Sequence, residues 1–196
     1  LDPVKSGRVR VGAVWDSGRP PWVRLHQGVG LLSEDRKDEG LALELSIADN
    51  VTLSLPKPFS RFGWVSRRKQ DELTDKWIEA LSIRCRNARQ PAAELSGGNQ
   101  QKVAIARLLH HDVDVLLLDE PARGVDVGSK VEVYRLLGEL AARGKALLFV
   151  SSYVPELLGV CDRIAVMHRG VLGETRDVAQ HTERSILDEA ARGPAP

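Results

Sequence analysis

The stretch LSGGNQQK, from Leu95 to Lys102, has the pattern of a loop that turns into a helix. Ser96 suits the first position, because serine oxygens accept backbone N–H bonds at helix starts. Gly97 and Gly98 carry no side chain that would keep a ligand away from the backbone. The free N–H groups of a first helical turn suit a phosphate. An ordinary loop-to-helix junction fits the same residues, so this stretch alone leaves both interpretations open.

A second stretch, LLLDEP, runs from Leu116 to Pro121. An apolar strand that ends in Asp119 and Glu120 places two carboxylates at the carboxyl edge of a parallel sheet, where open α/β folds bind ligands. In nucleotide hydrolases the first such carboxylate holds Mg²⁺ and the second polarises the attacking water. A solvated acidic turn is the alternative for LLLDEP alone, but the two stretches together favour a nucleotide site.

The phosphate-binding loop GxxxxGK[ST] does not occur in these 196 residues. The closest candidate is GVDVGSK, Gly124 to Lys130, but Ser129 stands where the second glycine should be. This segment also follows the acidic strand instead of opening the fold. We therefore expect no cradle of backbone N–H groups and no lysine for the β- and γ-phosphates within this sequence.

Composition and charge narrow the function classes. The formal net charge is +1, which disfavours a dedicated nucleic-acid binder. Cys85 and Cys161 form no CxxC, so we expect reduced thiols in a cytosolic protein. The apolar runs Val115 to Leu118 and Ala146 to Val150 fall short of the roughly 20 residues that span a bilayer. The first residues, LDPVKSG, do not resemble a signal peptide, and we expect further sequence to precede them.

Periodicity and turn residues predict the elements. Strands are predicted at Arg8 to Trp15, Gly28 to Leu32, Val113 to Leu118, Ala146 to Val150 and Ile164 to Met167, and helices at Arg67 to Leu81, after Ser96, at Lys130 to Arg143 and at Thr182 to Arg192. A turn is expected at Ser17 to Pro21, a loop at Glu34 to Gly40 and an irregular connection at Asp49 to Val65. Val113 to Leu118 is expected to be a strand buried on both faces, and Ala146 to Val150 is expected to be another buried strand. This alternation of strands and helices predicts a parallel α/β sheet.

The linked motifs resemble a known family. LSGGNQQKVAIARLL followed by VLLLDEPARGVDVGSK is similar to the ATP-binding subunits of ABC transporters. LLSEDRKDEGL and VSSYVPELLGVCDRIAVMHRG narrow the resemblance to the C-terminal nucleotide-binding half of ribose-, xylose- and galactose-type sugar importers, which carry two fused ATPase halves. The resemblance implies a P-loop NTPase-like α/β fold, with a parallel sheet core and an inserted helical subdomain, incomplete at its N-terminus.

The domain organisation follows from the same resemblance. It implies a remnant of the ATPase core at 1–34, up to the Q-loop position, and a helical subdomain at 35–94. The ATPase core with signature helix, Walker B, D-loop and switch covers 95–176. A C-terminal helix and tail occupy 177–196.

Site residues are implied by position in the family motifs. The residues expected to contact nucleotide are Leu95, Ser96, Gly97, Gly98, Asn99 and Gln100 of the signature loop, Asp126 of the D-loop, Glu34 and Ser152. Asp119 takes the metal-side position and Glu120 the catalytic-base position. Glu34 stands where most relatives have the Q-loop glutamine, and Ser152 where they have the switch histidine. An acid repels phosphate and serine lacks a titratable ring, so we expect a weakened site on this half.

Function follows from the resemblance as an expectation. The whole protein would couple ATP hydrolysis, with Mg²⁺, to the import of simple sugars. The signature loop would complete a nucleotide site in trans, on a second ATP-binding half that bears Walker A, fused or separate. The chain alone is expected to be inactive, because it lacks Walker A. Permease subunits are the expected direct partners and a periplasmic or extracellular sugar-binding protein an indirect one, with no nucleic acid. The expected location is cytoplasmic, peripheral on the inner face of the cell membrane.

Two other functions stay open. One is a soluble, non-transport ABC ATPase, and the other is a truncated, non-enzymatic interaction module.

Several further residues have simpler interpretations. Trp15 and Trp22 are expected to be packing residues and not replacements for the aromatic that stacks on adenine in the family. His110 and His111 are expected to end a helix and not to bind metal. The basic cluster around Arg61 and Arg67 is expected to be a solvated helix start with aromatic packing. A nucleic-acid patch and a partner surface are its alternatives.

Overall fold

The computed structural model describes residues 5–12, 14–16, 20–35 and 39–193. Residues 17–19 of the turn predicted at Ser17 to Pro21, and the middle of the loop expected at Glu34 to Gly40, lie outside these ranges. The chain divides into two compact units, residues 1–148 and 149–196, and each is described by itself. The boundaries expected at 34, 94 and 176 stay predictions.

The first unit holds the sheet and the long helices. Its elements are β1 (Val9–Val11), β2 (Val14–Asp16), α1 (Pro21–His26), β3 (Val29–Leu32), α2 (Ile47–Thr52), β4 (Ser60–Arg61), β5 (Trp64–Val65), α3 (Arg67–Ala80), α4 (Gly97–His110), β6 (Val115–Asp119), α5 (Val127–Ala142) and β7 (Ala146–Val150), whose last two residues belong to the second unit. The helices predicted at Arg67 to Leu81, after Ser96 and at Lys130 to Arg143 are confirmed.

A three-stranded sheet in the order β3-β6-β7 forms the centre of this unit. β3 and β6 run parallel, with Leu32 beside Leu118, which confirms the predicted parallel α/β core. Gly30 lets α4 lie close to β3, because a Cβ there would come within 2.7 Å of the Leu108 side chain. Because β3 and β6 are parallel and in this register, their carboxyl ends lie at the same edge of the sheet.

Burial of these strands differs from the prediction. Leu116 and Leu118 are buried, whereas Val115 and Leu117 on the other face are only partly covered. The expectation of burial on both faces is wrong for β6, because the face with Val115 and Leu117 borders a cavity. The expectation that β7 is a buried strand is wrong as well, because Leu148 is 60% exposed.

The segment expected to be irregular contains regular elements. Ser46 caps α2 by accepting a bond from Asp49 N, which the prediction at Asp49 to Val65 missed. β4 and β5 then pair as a short antiparallel hairpin. Phe59 is buried, but Phe62 and Trp64 are exposed, so the expected aromatic packing holds for Phe59 alone.

Two predicted packing residues are also exposed. Trp15 is 60% and Trp22 is 65% exposed, so the prediction that they are packing residues is wrong as far as burial is concerned. The Arg10 guanidinium carbon lies 5.3 Å from the centre of the Trp15 ring, and the Trp22 and His26 rings pack edge to face.

The second unit is built around one small core. Its elements are α6 (Val154–Val160), β8 (Arg163–Ile164), β9 (Met167–His168), β10 (Val171–Leu172), β11 (Arg176–Asp177) and α7 (Glu183–Arg192). Val154, Ile164, Val166 and Ile186 form that core. The single strand predicted at Ile164 to Met167 is wrong, because β8 pairs with β11 and β9 with β10. The predicted last helix is confirmed as α7.

Candidate functional site

The start of α4 presents the LSGGN stretch. Ser96 is the N-cap residue of α4, yet its hydroxyl makes no capping bond, contrary to the expectation. Instead, Asn99 Nδ2 donates to Ser96 Oγ at 2.8 Å. Asn99 Oδ1 accepts from the backbone N of Arg84 at 2.8 Å. Asn99 therefore fixes the exposed Ser96 hydroxyl and ties the helix start to the preceding loop.

Gly98 brings this helix start against the start of α5. A Cβ on Gly98 would lie 2.4 Å from Ser129 Cβ and 2.6 Å from Ser129 Oγ. Real Cβ atoms do not approach that closely, so the packing of the two helix starts requires glycine. The LSGGN stretch and the RGVD loop before α5 are thus held side by side.

The remaining residues of the stretch face inward. Leu95 and Gln100 are buried, and Gln100 Nε2 donates to Ala92 O at 3.1 Å. The buried Lys102 ammonium donates to Glu132 at 2.6 Å and to Ser82 O at 3.0 Å. These contacts connect α4 to α5 and to the loop after α3, so they position the exposed part of the stretch.

The acidic pair lies at the carboxyl end of β6. Asp119 is the last residue of β6, and Glu120 follows with φ 44, a left-handed backbone that is strained for a residue with a side chain. The register of β3 and β6 brings Glu34 to the same edge. There Glu34 forms an ion pair with Arg123, a partner that sequence reasoning did not assign. The RGVD motif was the signal that marked Arg123.

Asp126 has a structural role in addition to its predicted one. Its Oδ1 accepts from Ser129 N at 3.0 Å and caps α5. The bonds from Ser129 hold the pKa of the Asp126 carboxyl below its ordinary value. The exposed carboxylate therefore stays ionised beside the LSGGN stretch.

Ser152 belongs to the second unit. Its side chain is exposed, and the neighbouring Ser151 Oγ donates to Glu156 Oε2 at 2.8 Å and accepts from Tyr153 N at 3.1 Å. The first unit thus brings the signature residues together with Asp126, and Glu34 with Asp119 and Glu120. Ser152 is described only within its own unit.

The described residues were also searched for metal ligands, histidine pairs and reactive cysteines outside the motifs. Among them, no group of three or more histidine, cysteine or acidic side chains is placed to hold a metal ion. His110 ends α4, as expected, with its Nε2 3.1 Å from Leu55 O. Burial raises the pKa of the Cys85 and Cys161 thiols, which leaves both poorly nucleophilic.

Comparison with known proteins decides the family. The model of the ABC transporter family matches residues 2–123. The chain belongs to the ABC transporter family.

Curated relatives of this ABC chain are sugar-import proteins by name. It is 41% identical over 193 residues to the ribose import ATP-binding protein RbsA of Bacillus licheniformis, covering 98% of the chain and 39% of that protein. A putative ribose/galactose/methyl galactoside import ATP-binding protein of Burkholderia ambifaria is 43% identical, over 97% of the chain and 37% of its own length. The chain therefore spans less than half the length of these relatives.

Solved structures show the same fold. A dimeric, post-hydrolysis ATP-binding cassette with ADP and Pi, MJ0796, aligns with TM-score 0.73 and 22% identity over 90% of this chain and 75% of that one. A nucleotide-free cassette of an ABC transporter aligns with TM-score 0.74 and 21% identity, over 95% and 75%. The expected ABC ATPase fold is confirmed. Among the described residues, no helix is long and apolar enough to cross a bilayer.

Proposed function

We propose that this chain is part of the ATP-hydrolysing motor of an ABC importer for simple sugars. The names of its curated relatives support sugar import, and its fold is that of ATP-binding cassettes. The protein would act in the cytoplasm, on the inner face of the cell membrane, in contact with permease subunits. A sugar-binding protein outside the membrane would reach it only through the permease.

The signature loop would serve a nucleotide held by a second ATP-binding half that bears Walker A. The observation that carries this proposal is the close packing of Gly98 against Ser129. This packing holds the exposed Ser96 and the first turn of α4 in a fixed orientation. A rigid helix start with an oriented hydroxyl suits phosphate oxygens presented by another half. No GxxxxGK[ST] loop is needed in this sequence for that role.

The Walker B end would serve a site of its own. Mg²⁺ is commonly held by one or two carboxylates together with the phosphates of the nucleotide, and Asp119 at the end of β6 fits as one of them. Mg²⁺ would neutralise phosphate charge. Glu120 would accept a proton from water. Glu34 is engaged by Arg123, which weakens its negative field toward a phosphate.

A partner surface on the helical segment is part of the proposal. Phe62 and Trp64 are exposed on the β4–β5 hairpin, and Arg61 lies over the Phe62 ring. Exposed aromatic residues beside basic ones are enriched at protein interfaces. We assign this hairpin to the surface that faces the permease.

The test uses the protein at its natural length, assembled with its permease. Ser96→Arg introduces bulk and a misplaced charge at the signature, and ATP hydrolysis should fall by about a hundredfold, the scale of losing an oriented transition-state contact. Ser66→Arg is the matched control, because Ser66 is also an N-cap residue whose side chain makes no capping bond. Equal hydrolysis in the Ser96→Arg and Ser66→Arg proteins would contradict the proposed role of the signature.

A second variant separates the two sites. Glu120→Gln should leave most of the hydrolysis in place, because Glu120 faces the weaker site. Complete loss on Glu120→Gln, or micromolar ATP affinity of the 196-residue chain alone, would contradict the assignment in trans. Full ATPase activity without any effect of the permease would favour the soluble, non-transport alternative.

A further inference from the structure

The β4–β5 hairpin and the start of α3 form a surface of one charge sign. Between Asp49 and Asp71 the sequence contains no acidic residue. The same stretch contains five basic residues, all of them exposed: Lys57, Arg61, Arg67, Arg68 and Lys69. We call these five residues, together with residues 62–65 at the tip of the hairpin, the basic hairpin surface.

The acidic side chains that flank this stretch are engaged in ion pairs. Arg89 lies 3.7 Å from the Asp49 carboxylate and 2.7 Å from that of Asp71. Glu72 pairs with Arg68, four positions before it, at 2.9 Å. Glu72 therefore offsets one of the five cations, and the basic hairpin surface keeps a net positive charge.

The tip of the hairpin presents two aromatic side chains to solvent. Phe62 is 88% and Trp64 is 83% exposed, and the neighbouring Val65 is 50% exposed. The base of the hairpin is fixed, because Phe59 is buried and its carbonyl oxygen accepts from Ser66 N at 2.9 Å. An anchored hairpin thus exposes two rings in the middle of a basic surface.

The turn at this tip has a bulky residue where the backbone disfavours one. Phe62 has φ 51 and Gly63 has φ 80, so both residues of the two-residue turn are left-handed. Such turns favour asparagine, aspartate or glycine at the first position. Phenylalanine strains the backbone there, and its exposed ring gains no burial in return. This strain indicates that the ring contacts something outside the chain.

Anionic lipid headgroups match both the charge and the rings of this surface. The cytoplasmic leaflet of a membrane carries negative charge and attracts basic residues that lie close to it. Tryptophan is enriched at membrane–water interfaces, where its ring lies at headgroup level. A nucleic acid is a poorer match, since the whole chain has a net charge of only +1. Charge and aromatic content together therefore favour a membrane surface.

We propose that the basic hairpin surface binds anionic lipid headgroups next to the permease, with the Phe62 and Trp64 rings inserted at headgroup level. The permease spans the same membrane, so the lipid contact adds to the permease contact assigned above. The proposal rests on the proposed function only for the position of the protein at the inner face of the membrane. Failed vesicle binding would leave the ATPase proposal intact, and failed ATP hydrolysis would leave this proposal intact.

The first experiment is sedimentation of the natural-length protein, without ATP or permease, with vesicles of phosphatidylcholine that contain or lack phosphatidylglycerol. Binding should require phosphatidylglycerol and weaken as salt is raised. Lys57→Gln and Arg61→Gln should each weaken it about fivefold, the effect of one basic residue near an anionic surface. Lys76→Gln removes an exposed lysine of α3 outside the surface and should change binding less than about twofold. Equal binding to both kinds of vesicle would overturn the proposal.

The second experiment measures whether the rings enter the lipid. Brominated phosphatidylcholine in the anionic vesicles should quench tryptophan fluorescence of the bound protein, and Trp64→Phe should reduce that quenching. Trp15→Phe is the matched control, because Trp15 is also an exposed tryptophan on a short strand pair beside an arginine. Its quenching should equal that of the wild type. Undiminished quenching in Trp64→Phe would show that the ring stays outside the lipid and would overturn the proposal.

A third comparison separates the lipid contact from folding. Phe62→Asn should raise the urea midpoint, because asparagine suits the left-handed turn, and should weaken vesicle binding about tenfold through loss of the ring. A more stable protein that binds less cannot owe the loss to unfolding. Unchanged vesicle binding in Phe62→Asn would contradict the proposal.

Two rival partners give different outcomes in the same assays. Assembly with the permease that requires Trp64, in a protein that binds no vesicles, would assign the surface to the permease alone. RNA binding as strong as vesicle binding, and equally dependent on Trp64, would indicate a nucleic-acid surface. Either result would overturn the lipid proposal.

Discussion

Glu34, just beyond β3, forms an ion pair with Arg123, in the RGVD loop beyond β6. The pair joins two segments that the motifs predict to be the Q-loop position and the D-loop. It places a positive charge beside the Glu34 carboxylate. The two side chains are 41% and 64% exposed, so the pair orients the loop more than it stabilises the fold.

A double-mutant cycle tests that distinction. Glu34→Gln, Arg123→Gln and the double variant should give a coupling free energy below about 1 kcal/mol, because solvent screens exposed pairs. High salt should reduce the coupling further. Urea unfolding of the four proteins measures it. A coupling free energy above about 2 kcal/mol would contradict this interpretation, because the pair would then contribute substantially to the stability of the fold.

Gly98→Ala should destabilise the protein. The added Cβ would meet Ser129 Cβ at 2.4 Å, and each of these atoms is bonded directly to a helix backbone, so neither can rotate away. We expect a loss of about 1–3 kcal/mol in the free energy of unfolding, as for other overpacked sites. Urea denaturation measures the loss, and ATP hydrolysis by the assembled importer should fall with it.

Two further variants control this prediction. Gly138→Ala, where a Cβ would meet nothing within 4 Å in the middle of α5, should be neutral or stabilise by up to about 1 kcal/mol. Ser129→Gly should restore part of the stability of Gly98→Ala, because it removes the opposing Cβ. Equal losses for Gly98→Ala and Gly138→Ala would show that the contact with Ser129 is unimportant.

Local patterns predicted the helices well. The apolar spacing of α3 and α4 is a property of adjacent turns, so both were found within a few residues of their observed bounds. α2 was missed because it has only six residues and lies close to Pro56. A short helix of this kind depends on its cap at Ser46 and on packing, since short helices are marginal by themselves.

Burial and long-range contacts were harder to predict. β7 has the apolar composition of a buried strand, but exposure depends on what covers it, and Leu148 is exposed. The bonds of Asn99 to Arg84 and of Lys102 to Glu132 join residues far apart in sequence. They follow from the tertiary packing, which motif spacing does not encode.

Unfolding of the protein should depend on pH through His111. Burial lowers the pKa of the His111 imidazole below its ordinary 6.5, and the nearby His26, whose ring centre is 5.5 Å away, adds to the shift. The unfolded chain then binds a proton below about pH 6.5 that the folded chain does not bind, so acid favours unfolding.

The measurement is the free energy of unfolding in urea at about pH 7.5 and about pH 5.5. It should be lower at the acid pH, and His111→Asn should reduce the difference. His26→Asn should reduce it partly, because it removes only the neighbouring charge. An identical pH dependence in the wild-type and His111→Asn proteins would rule out this role of His111.

The left-handed backbone at Glu120 should be measurable as strain that a glycine at this position relieves. At φ 44 a side chain costs about 1–2 kcal/mol that glycine avoids, although glycine loses some of this gain through its freer unfolded state. Glu120→Gly should therefore be more stable than Glu120→Ala by about 0.5–1 kcal/mol, whereas both variants lack the carboxylate. At Glu139, inside α5, the order should reverse, because alanine is favoured over glycine in a helix by about 1 kcal/mol. Urea denaturation of the four variants compares the two orders. If alanine were favoured at both positions, the left-handed backbone at Glu120 would not be a feature of the folded protein in solution.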